Sequence, residues 1–404
     1  MKVAAIIAEY NPFHKGHLYQ INEAKKKYNI DYVIAIMSGC FTQRGIPSIY
    51  DKYTKAEMAL KGGVDLCIEL PTVYSTASAE FFARGGVEIA NKLGIVDYLL
   101  FSQESGSVGK LEQISDILIK EPKEYSDILK LNLEKGLTFP AARSMAIQGV
   151  LGDEFANLLK EPNNTLGIEY IKALKVINSN ISPISIKRLG ASHNSLSIDK
   201  EACSSSAIRE LLKSNTSISE GKQVLPDTSY EIIEKSINNS IYPLYINDFS
   251  SFLHYKLLSD SNYQNYFDVS KELSDKISKS IYDYKDIESF IMLLKTKEVT
   301  YSRISRALLH ILLNIKSSDI TPIEYATVLG FNKKSQNLLN EIKKSNQITL
   351  ISKNADYKTL LGRRESAITM FEKDILSNDI YESILMDKFS KKPITLFRKS
   401  PIII

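Results

Sequence analysis

The stretch KVAAIIAEYNPFHKGHLYQ, residues 2–20, joins a near-continuous apolar run to a turn that carries two of the chain's five histidines. KVAAIIA does not alternate, as expected of a strand covered on both faces in a parallel sheet. Beyond Gly16, the apolar residues Leu18, Ile21, Ala24 and Tyr28 step by three and four with polar residues opposite, which predicts a helix. The segment therefore reads as strand, loop, helix.

The pattern repeats along the first half. DYVIAIMSG (31–39), VDLCIELP (64–71) and VDYLLFS (96–102) read as further strands, with YTKAEMALKGG and SAEFFARGGVEIANKLG as helices between them. A helical stretch from about 107 to 178 leads to a strand in PISIKRLG (183–190), and SSSAIRELL opens another helix. Strands alternating with helices imply an α/β fold, a Rossmann-like parallel sheet with right-handed crossovers. From about residue 225, Ile, Leu, Tyr and Lys recur at helical spacing and Gly becomes sparse. Two domains are expected, 1–220 and a mostly helical 225–404, with QITLISK and PITLFRKSP in the tail adding a strand or two.

The 404 residues exceed one small core, and 44% hydrophobic with 24% charged content is that of a soluble globular protein. No run approaches the ~18 apolar residues of a membrane span, and no signal peptide precedes Lys2-Val3, so a cytoplasmic location without membrane association is expected. Cys40, Cys67 and Cys203 are odd in number and widely spaced. That argues against a disulfide framework or a Cys-x-x-Cys metal site; each is expected as a small buried or half-buried residue. The formal charge of +4 says little about nucleic acid on its own.

Ligands of open parallel sheets bind beyond the carboxyl ends of the strands. A helix N-terminus there offers unpaired N–H groups and partial positive charge to phosphate. Gly16 lacks a Cβ and would let a phosphate approach, while His14 and His17 would donate imidazole N–H bonds as charge builds. A bare His-x-x-His fits capping or surface residues as well, or a metal site, although no third ligand stands nearby. In CSSSAIRELL (203–212), Ser204, Ser205 and Ser206 open a helix with Arg209 within one turn; N-capping alone would account for the serines.

HKGH (14–17) resembles the His-x-Gly-His signature of the nucleotidyltransferase superfamily, and CSSSAIRELL stands where that superfamily keeps its serine-rich second signature. Over nearly its whole length the chain resembles, more narrowly, the tRNA(Met) cytidine acetate ligase family. AEYNPFHKGH, MSGCFTQRGIPS, DKYTKAEMAL, VDLCIELP, EPNNTLGIEYIKAL and IKRLGASHNS carry that resemblance, in this order. It implies a tRNA-modifying ligase. ATP and acetate would form acetyl-adenylate with release of pyrophosphate, and acetyl would pass to N4 of the wobble cytidine of elongator tRNA(Met). The product would be N4-acetylcytidine.

The resemblance further implies His14, His17, Ser206 and Arg209 at the catalytic centre. ATP would lie on Ile7, Ala8, Glu9, Tyr10, Asn11, Pro12, Phe13, His14, Lys15, Gly16, His17, Leu18, Tyr19 and Gln20, and on Ser102, Asn163 and Arg188. Asn163 equally fits a cap for the helix whose stripe is Leu166, Tyr170, Ala173, Leu174 and Ile177. Arg188 fits a phosphate contact at a strand end, or a solvated guanidinium. Gln43 and Arg44, in SGCFTQRG, would face acetate, ATP or tRNA. Lys52 and Lys55 are candidate phosphate contacts, and Glu69 fits either an orienting or a structural carboxylate. Three departures stand out: Ser102 where the family commonly has glycine, and Lys55 and Thr327 where it commonly has arginine.

In YSRISRALLHILLNI (301–315), Ile304, Leu308, Ile311 and Leu312 form an apolar stripe, and Arg303, Arg306 and His310 fall on another face. With Lys295 and Lys297 upstream, and Arg363, Arg364, Arg398 and Lys399 beyond, this suits phosphate contacts to tRNA, although a basic helix face is usually only solvated. Mg2+ is expected as the counter-ion of ATP, with no carboxylate cluster announcing a metal cage. Two other functions account for part of the pattern. A nucleotidyltransferase acting on a phosphorylated small molecule leaves the helical domain without a task; a non-catalytic RNA-binding protein would release no pyrophosphate.

Overall fold

A computed structural model of the chain describes residues 1–188, 204–214 and 219–404. Five strands, β1 (Val3–Ala8), β2 (Tyr32–Ser38), β3 (Leu66–Leu70), β4 (Tyr98–Gln103) and β5 (Ser182–Lys187), run parallel in the order β5-β4-β1-β2-β3. Every residue of β2 after Tyr32 and all of β3 are buried, which is why these runs are apolar without alternation. The helices that matter below are α1 (Lys15–Tyr28), α2 (Lys52–Lys61), α3 (Ala79–Lys92), α4 (Phe139–Leu151), α5 (Pro162–Val176), α6 (Ser205–Ser214), α7 (Tyr301–Leu312) and α8 (Glu365–Phe389). The expected helical stretch between β4 and β5 is five separate helices, α4 and α5 among them.

The chain leaves β1 toward β2 on one side and later returns to β4 on the other, so the sheet's switch point lies between β1 and β4. The β1–β2 ladder runs from Val3 opposite Tyr32 to Ala8 opposite Met37. The β1–β4 ladder holds only Ala4 opposite Tyr98 and Ala5 opposite Leu99. The carboxyl ends of β1 and β4 therefore part, and a crevice opens where no ladder bond closes it. Gly86 of α3 keeps this wall tight: a Cβ there would come within 2.5 Å of Ile7 Cδ1.

The C-terminal half, expected as mostly helical with a strand or two in its tail, also adds strands to this sheet, including one where helix was expected. YATVLGF is a strand, β6 (Tyr325–Phe331), antiparallel to β3 through Leu66 opposite Phe331 and Glu69 opposite Thr327. Its aromatic and β-branched residues suit a pleat, and all but Phe331 are buried. β7 (Thr349–Ile351) falls in QITLISK as expected, whereas PITLFRKSP forms only a short turn and the last strand, β8 (Ile402–Ile403), lies beyond it. Cys40 and Cys67 are buried free thiols; Cys203 lies outside the described residues. Among the described residues, no helix is long and apolar enough to cross a membrane.

Candidate active site

A cleft of about 520 Å³ occupies the crevice at the switch point. Ile6, Ile7 and Ala8 of β1 and Phe101 and Ser102 of β4 form its floor where the two strands part. Six helices begin at its wall: α1 at His14 and His17, α3 at Ala79, α4 at Pro140, α5 at Pro162 and Asn163, α6 at Ser204, Ser205 and Ser206, and α7 at Ser302. Each brings the positive end of its dipole to the wall, which suits a polyanion.

The histidine turn is fixed from within. His14 is the N-cap of α1, its Nδ1 accepting from Gly16 N at 3.1 Å, and His17 Nδ1 accepts from His14 N at 3.2 Å. The two rings stack at 3.7 Å between centroids, and Tyr10 meets His17 edge-on at 4.7 Å. A ring whose Nδ1 accepts carries its proton on Nε2, so each neutral imidazole presents Nε2 as a donor. Gly16 is required for a reason beyond phosphate access: a Cβ there would lie 2.9 Å from His14 Cε1 and push the capping ring away.

Two guanidinium groups converge on one hydroxyl. Arg209 Nη2 donates to Ser206 Oγ at 2.9 Å and Arg44 Nη1 donates to it at 3.2 Å. Arg209 Nη1 also donates to the Asn11 carbonyl at 3.0 Å. Burial, and then the neighbouring Arg44 charge, lower the Arg209 pKa to about 10, so it remains a cation at neutral pH. The Glu9 and Glu210 charges oppose that shift.

Arg44 is positioned by the loop after β2. Gln43 N donates to Glu9 Oε1 at 2.8 Å, and Ser305 Oγ of α7 donates to the Gly45 carbonyl at 2.9 Å. Gly45 has φ +75°, and a Cβ there would meet Arg306 N at 2.5 Å, so only glycine lets the loop lie on α7.

On the far side, Glu104 gathers the remaining candidates. Its carboxylate accepts from the backbone N of Asn163 at 3.1 Å and of Asn164 at 3.2 Å, and from Asn163 Nδ2. A carboxylate at the start of α5 suits the helix dipole. Asn163 thus both caps, through Glu104, and lines the cleft. Arg188, just past β5, also lines it; burial lowers its pKa, and the Glu104 charge opposes that.

Of the predicted ATP-binding residues, Ile7, Ala8, Glu9, Tyr10, His14, His17, Gln20, Ser102, Asn163 and Arg188 line the cleft, as do Gln43, Arg44, Ser206 and Arg209. The others in 7–20 support it from behind. Asn11 Oδ1 accepts from Ile49 N at 2.8 Å, Phe13 is buried against Gly62, and Lys15 Nζ donates to the Gln223 carbonyl at 2.7 Å. Pro12, Gly16, Leu18 and Tyr19 do not face the cleft either.

Several candidates prove structural. Lys52 Nζ lies 2.8 Å from both oxygens of Glu69, and the pair is buried. Lys55 Nζ donates to the Glu9 and Ser38 carbonyls and to Ser48 Oγ, so neither lysine reaches the cleft. His310 is fully buried, with Nδ1 3.0 Å from the Phe267 carbonyl and Nε2 3.3 Å from the Thr76 hydroxyl; it is no phosphate contact. Arg306 is half-buried and paired with Asp268 at 3.4 Å, which leaves Arg303 as the exposed cation of α7. Thr327, in β6, is buried and sits in the sheet rather than on a surface. Glu104, Lys160, Pro140 and Ser302 were not among the predicted site residues. Only Glu104 had a signal, its place directly after the fourth strand.

The fold, the crevice at the switch point and the histidine turn define a nucleotidyltransferase of the His-x-Gly-His class, and the HIGH Nucleotidyl Transferase family model matches residues 1–395. The chain is 43% identical over 385 residues to the tRNA(Met) cytidine acetate ligase of Caldanaerobacter subterraneus subsp. tengcongensis, covering 94% of this chain and 95% of that protein. It is 39% identical over 405 residues to the tRNA(Met) cytidine acetate ligase of Clostridium acetobutylicum, covering 96% and 100%. The crystal structure of Thermotoga maritima TmcAL bound with alpha-thio ATP superposes with a TM-score of 0.92 at 29% identity, and its apo form with 0.94 at 30%; both cover the whole of each chain. This chain belongs to the tRNA(Met) cytidine acetate ligase family.

Proposed function

We propose that this protein activates acetate with ATP and acetylates N4 of the wobble cytidine of elongator tRNA(Met). One observation carries the reading. Arg44 and Arg209 share Ser206 Oγ in the same cleft that His14 and His17 line, which is a site for oxyanions in which charge develops.

In the first step an acetate oxygen attacks the α-phosphorus of ATP, the bond to the bridging oxygen breaks, and pyrophosphate departs with the electron pair. The two imidazoles and two guanidiniums receive the growing charge, and no covalent enzyme intermediate is required. In the second step the N4 lone pair attacks the acetyl carbon, the bond to the AMP oxygen breaks, and N4 loses a proton. An aromatic exocyclic amine is a weak nucleophile, so the step depends on alignment and on keeping water from the mixed anhydride.

Mg2+ would enter with ATP. Among the described residues no three His, Cys, Asp or Glu side chains are grouped to hold a metal; phosphate oxygens of ATP would be among its ligands. We assign nucleotide chemistry to residues 1–220 and tRNA recognition to the helices beyond 225, with Arg303 rather than Arg306 as the phosphate contact. The reaction belongs in the cytoplasm, where tRNA, ATP and acetate meet.

The test is incubation of pure protein with ATP, labelled acetate and bulk bacterial tRNA, followed by nucleoside analysis. Label in N4-acetylcytidine that depends on ATP is the expected result. Pyrophosphate release without labelled tRNA would remove the RNA half of the reading, and absence of both would end it.

A further inference from the structure

Beside a residue that lines the cleft stands an exposed aromatic side chain that the chemistry above leaves unused. Phe139, the first residue of α4, is 53% exposed, the most exposed phenylalanine among the described residues. Its neighbour Pro140 lines the cleft. Ser302, in the first turn of α7, lines the cleft too, and Arg303 beside it is exposed. The segments leading into these two helices meet: a Cβ on Gly136 would lie 3.7 Å from Glu298 Oε1. Phe139, Arg303 and the exposed Lys297 therefore belong to one stretch of rim at the mouth of the cleft.

Core packing does not explain a phenylalanine left half in solvent at a helix start. RNA chemistry does. A base drawn out of a single-stranded loop into a cleft leaves its neighbour without a stacking partner, and a flat aromatic face at the rim can replace that partner. Phosphates flanking the displaced base then fall within reach of cations on the same rim. We propose that Phe139 is a stacking platform for the nucleotide next to the target base, with Arg303 and Lys297 meeting the adjacent phosphates. This rests on the ligase reading and adds to it the place where the RNA loop crosses the rim.

The test compares wild type with Phe139→Ala, Phe139→Leu and Phe139→Trp in two assays: direct binding of bulk tRNA, and acetate-dependent exchange of pyrophosphate into ATP. Because the side chain is exposed, all three variants should fold. Phe139→Ala and Phe139→Leu should bind tRNA roughly 5- to 100-fold more weakly, Phe139→Trp should bind as wild type does, and exchange should not change in any of them. Equal binding by all four proteins overturns the proposal, as does a leucine variant that binds like tryptophan. If Phe139→Ala instead changes the oligomeric state and not tRNA binding, the occupant is a second copy of the chain and the proposal fails. Should wild type acetylate no tRNA, the ligase reading fails separately. The binding series still decides the platform, which is lost if wild type holds no tRNA.

Discussion

Two groups of buried or half-buried cations lie on either side of the loop after β2, and they differ in what faces them. Behind the loop, Lys52 is closed against Glu69 at 2.8 Å and Lys55 against two carbonyls and a hydroxyl. In front of it, Arg44 and Arg209 meet at Ser206 on the wall of the cleft. The first group is closed off inside the protein; the second brings two like charges to the wall of a cleft, with Glu9 and Glu210 as carboxylates near Arg209. DKYTKAEMAL and FTQRG read alike as cationic motifs, yet only the second brings its cation to the wall of the cleft. Charge points to a candidate site when the fold brings it to the wall of a cleft.

The sharpest way to break this comparison is to treat the buried pair as though it were functional. Lys52→Met should destabilise the fold by about 3–5 kcal/mol, because Glu69 is left buried without its partner. The double variant Lys52→Met with Glu69→Gln should recover much of that loss. Chemical denaturation measures both, and a stable single variant would show that Glu69 is not held by Lys52. Conversely, Arg209→Ala should leave stability nearly unchanged and cut acetate-dependent pyrophosphate exchange by roughly 10²–10³-fold, the usual cost of losing a transition-state donor. Exchange within a few-fold of wild type would remove Arg209 from the chemistry.

The contrast also marks how far the sequence could be read. Strand, turn and helix were legible in residues 2–28 because periodicity and the histidine pair are local signals, and the serine-rich start of α6 was legible for the same reason. What lay across from each residue was not. Lys52 and Lys55 look like phosphate ligands until Glu69 and the Ser38 carbonyl are brought against them by the β2–β3 pairing. His310 falls on a face with Arg303 by helical spacing, but α7 is covered on that side by Thr76 and Phe267, from segments more than forty residues away. By sequence β6 falls into the helical half, because a seven-residue apolar run carries no period of its own; its strand character comes from pairing with β3, more than 250 residues earlier.

A gentler test moves the proton rather than the side chain. Asp374 of α8 accepts from Thr72 N at 2.7 Å and from the Tyr325 hydroxyl at 2.6 Å, tying the last long helix to β3 and β6. Burial, followed by repulsion from Glu69, pushes its pKa up to about 7. An acid whose folded pKa lies above its unfolded value binds more protons when folded. Its contribution is therefore fullest below about pH 4 and is lost as pH rises toward 7. Asp374→Asn should erase that slope, gaining on wild type by roughly 3 kcal/mol between pH 4 and pH 7. A constant difference across that range would mean that Asp374 is ionised throughout.

The smallest expected effect lies on α7, where the comparison between paired and outward-facing cations recurs within one turn. Arg303 is exposed, whereas Arg306 lies against Asp268 at 3.4 Å with its side chain 12% accessible. Arg303→Ala should weaken tRNA binding by roughly 1 kcal/mol and lower the salt dependence of binding by about one phosphate contact, with no change in melting temperature. Arg306→Ala should do the reverse, lowering stability by about 1–3 kcal/mol through the stranded Asp268 while the salt dependence holds. The two residues are the same type, three positions apart on one helix. The close Asp268 contact at the second sets a cation that holds the fold apart from one proposed to meet a phosphate, and an exchange of these two outcomes would reverse the assignment.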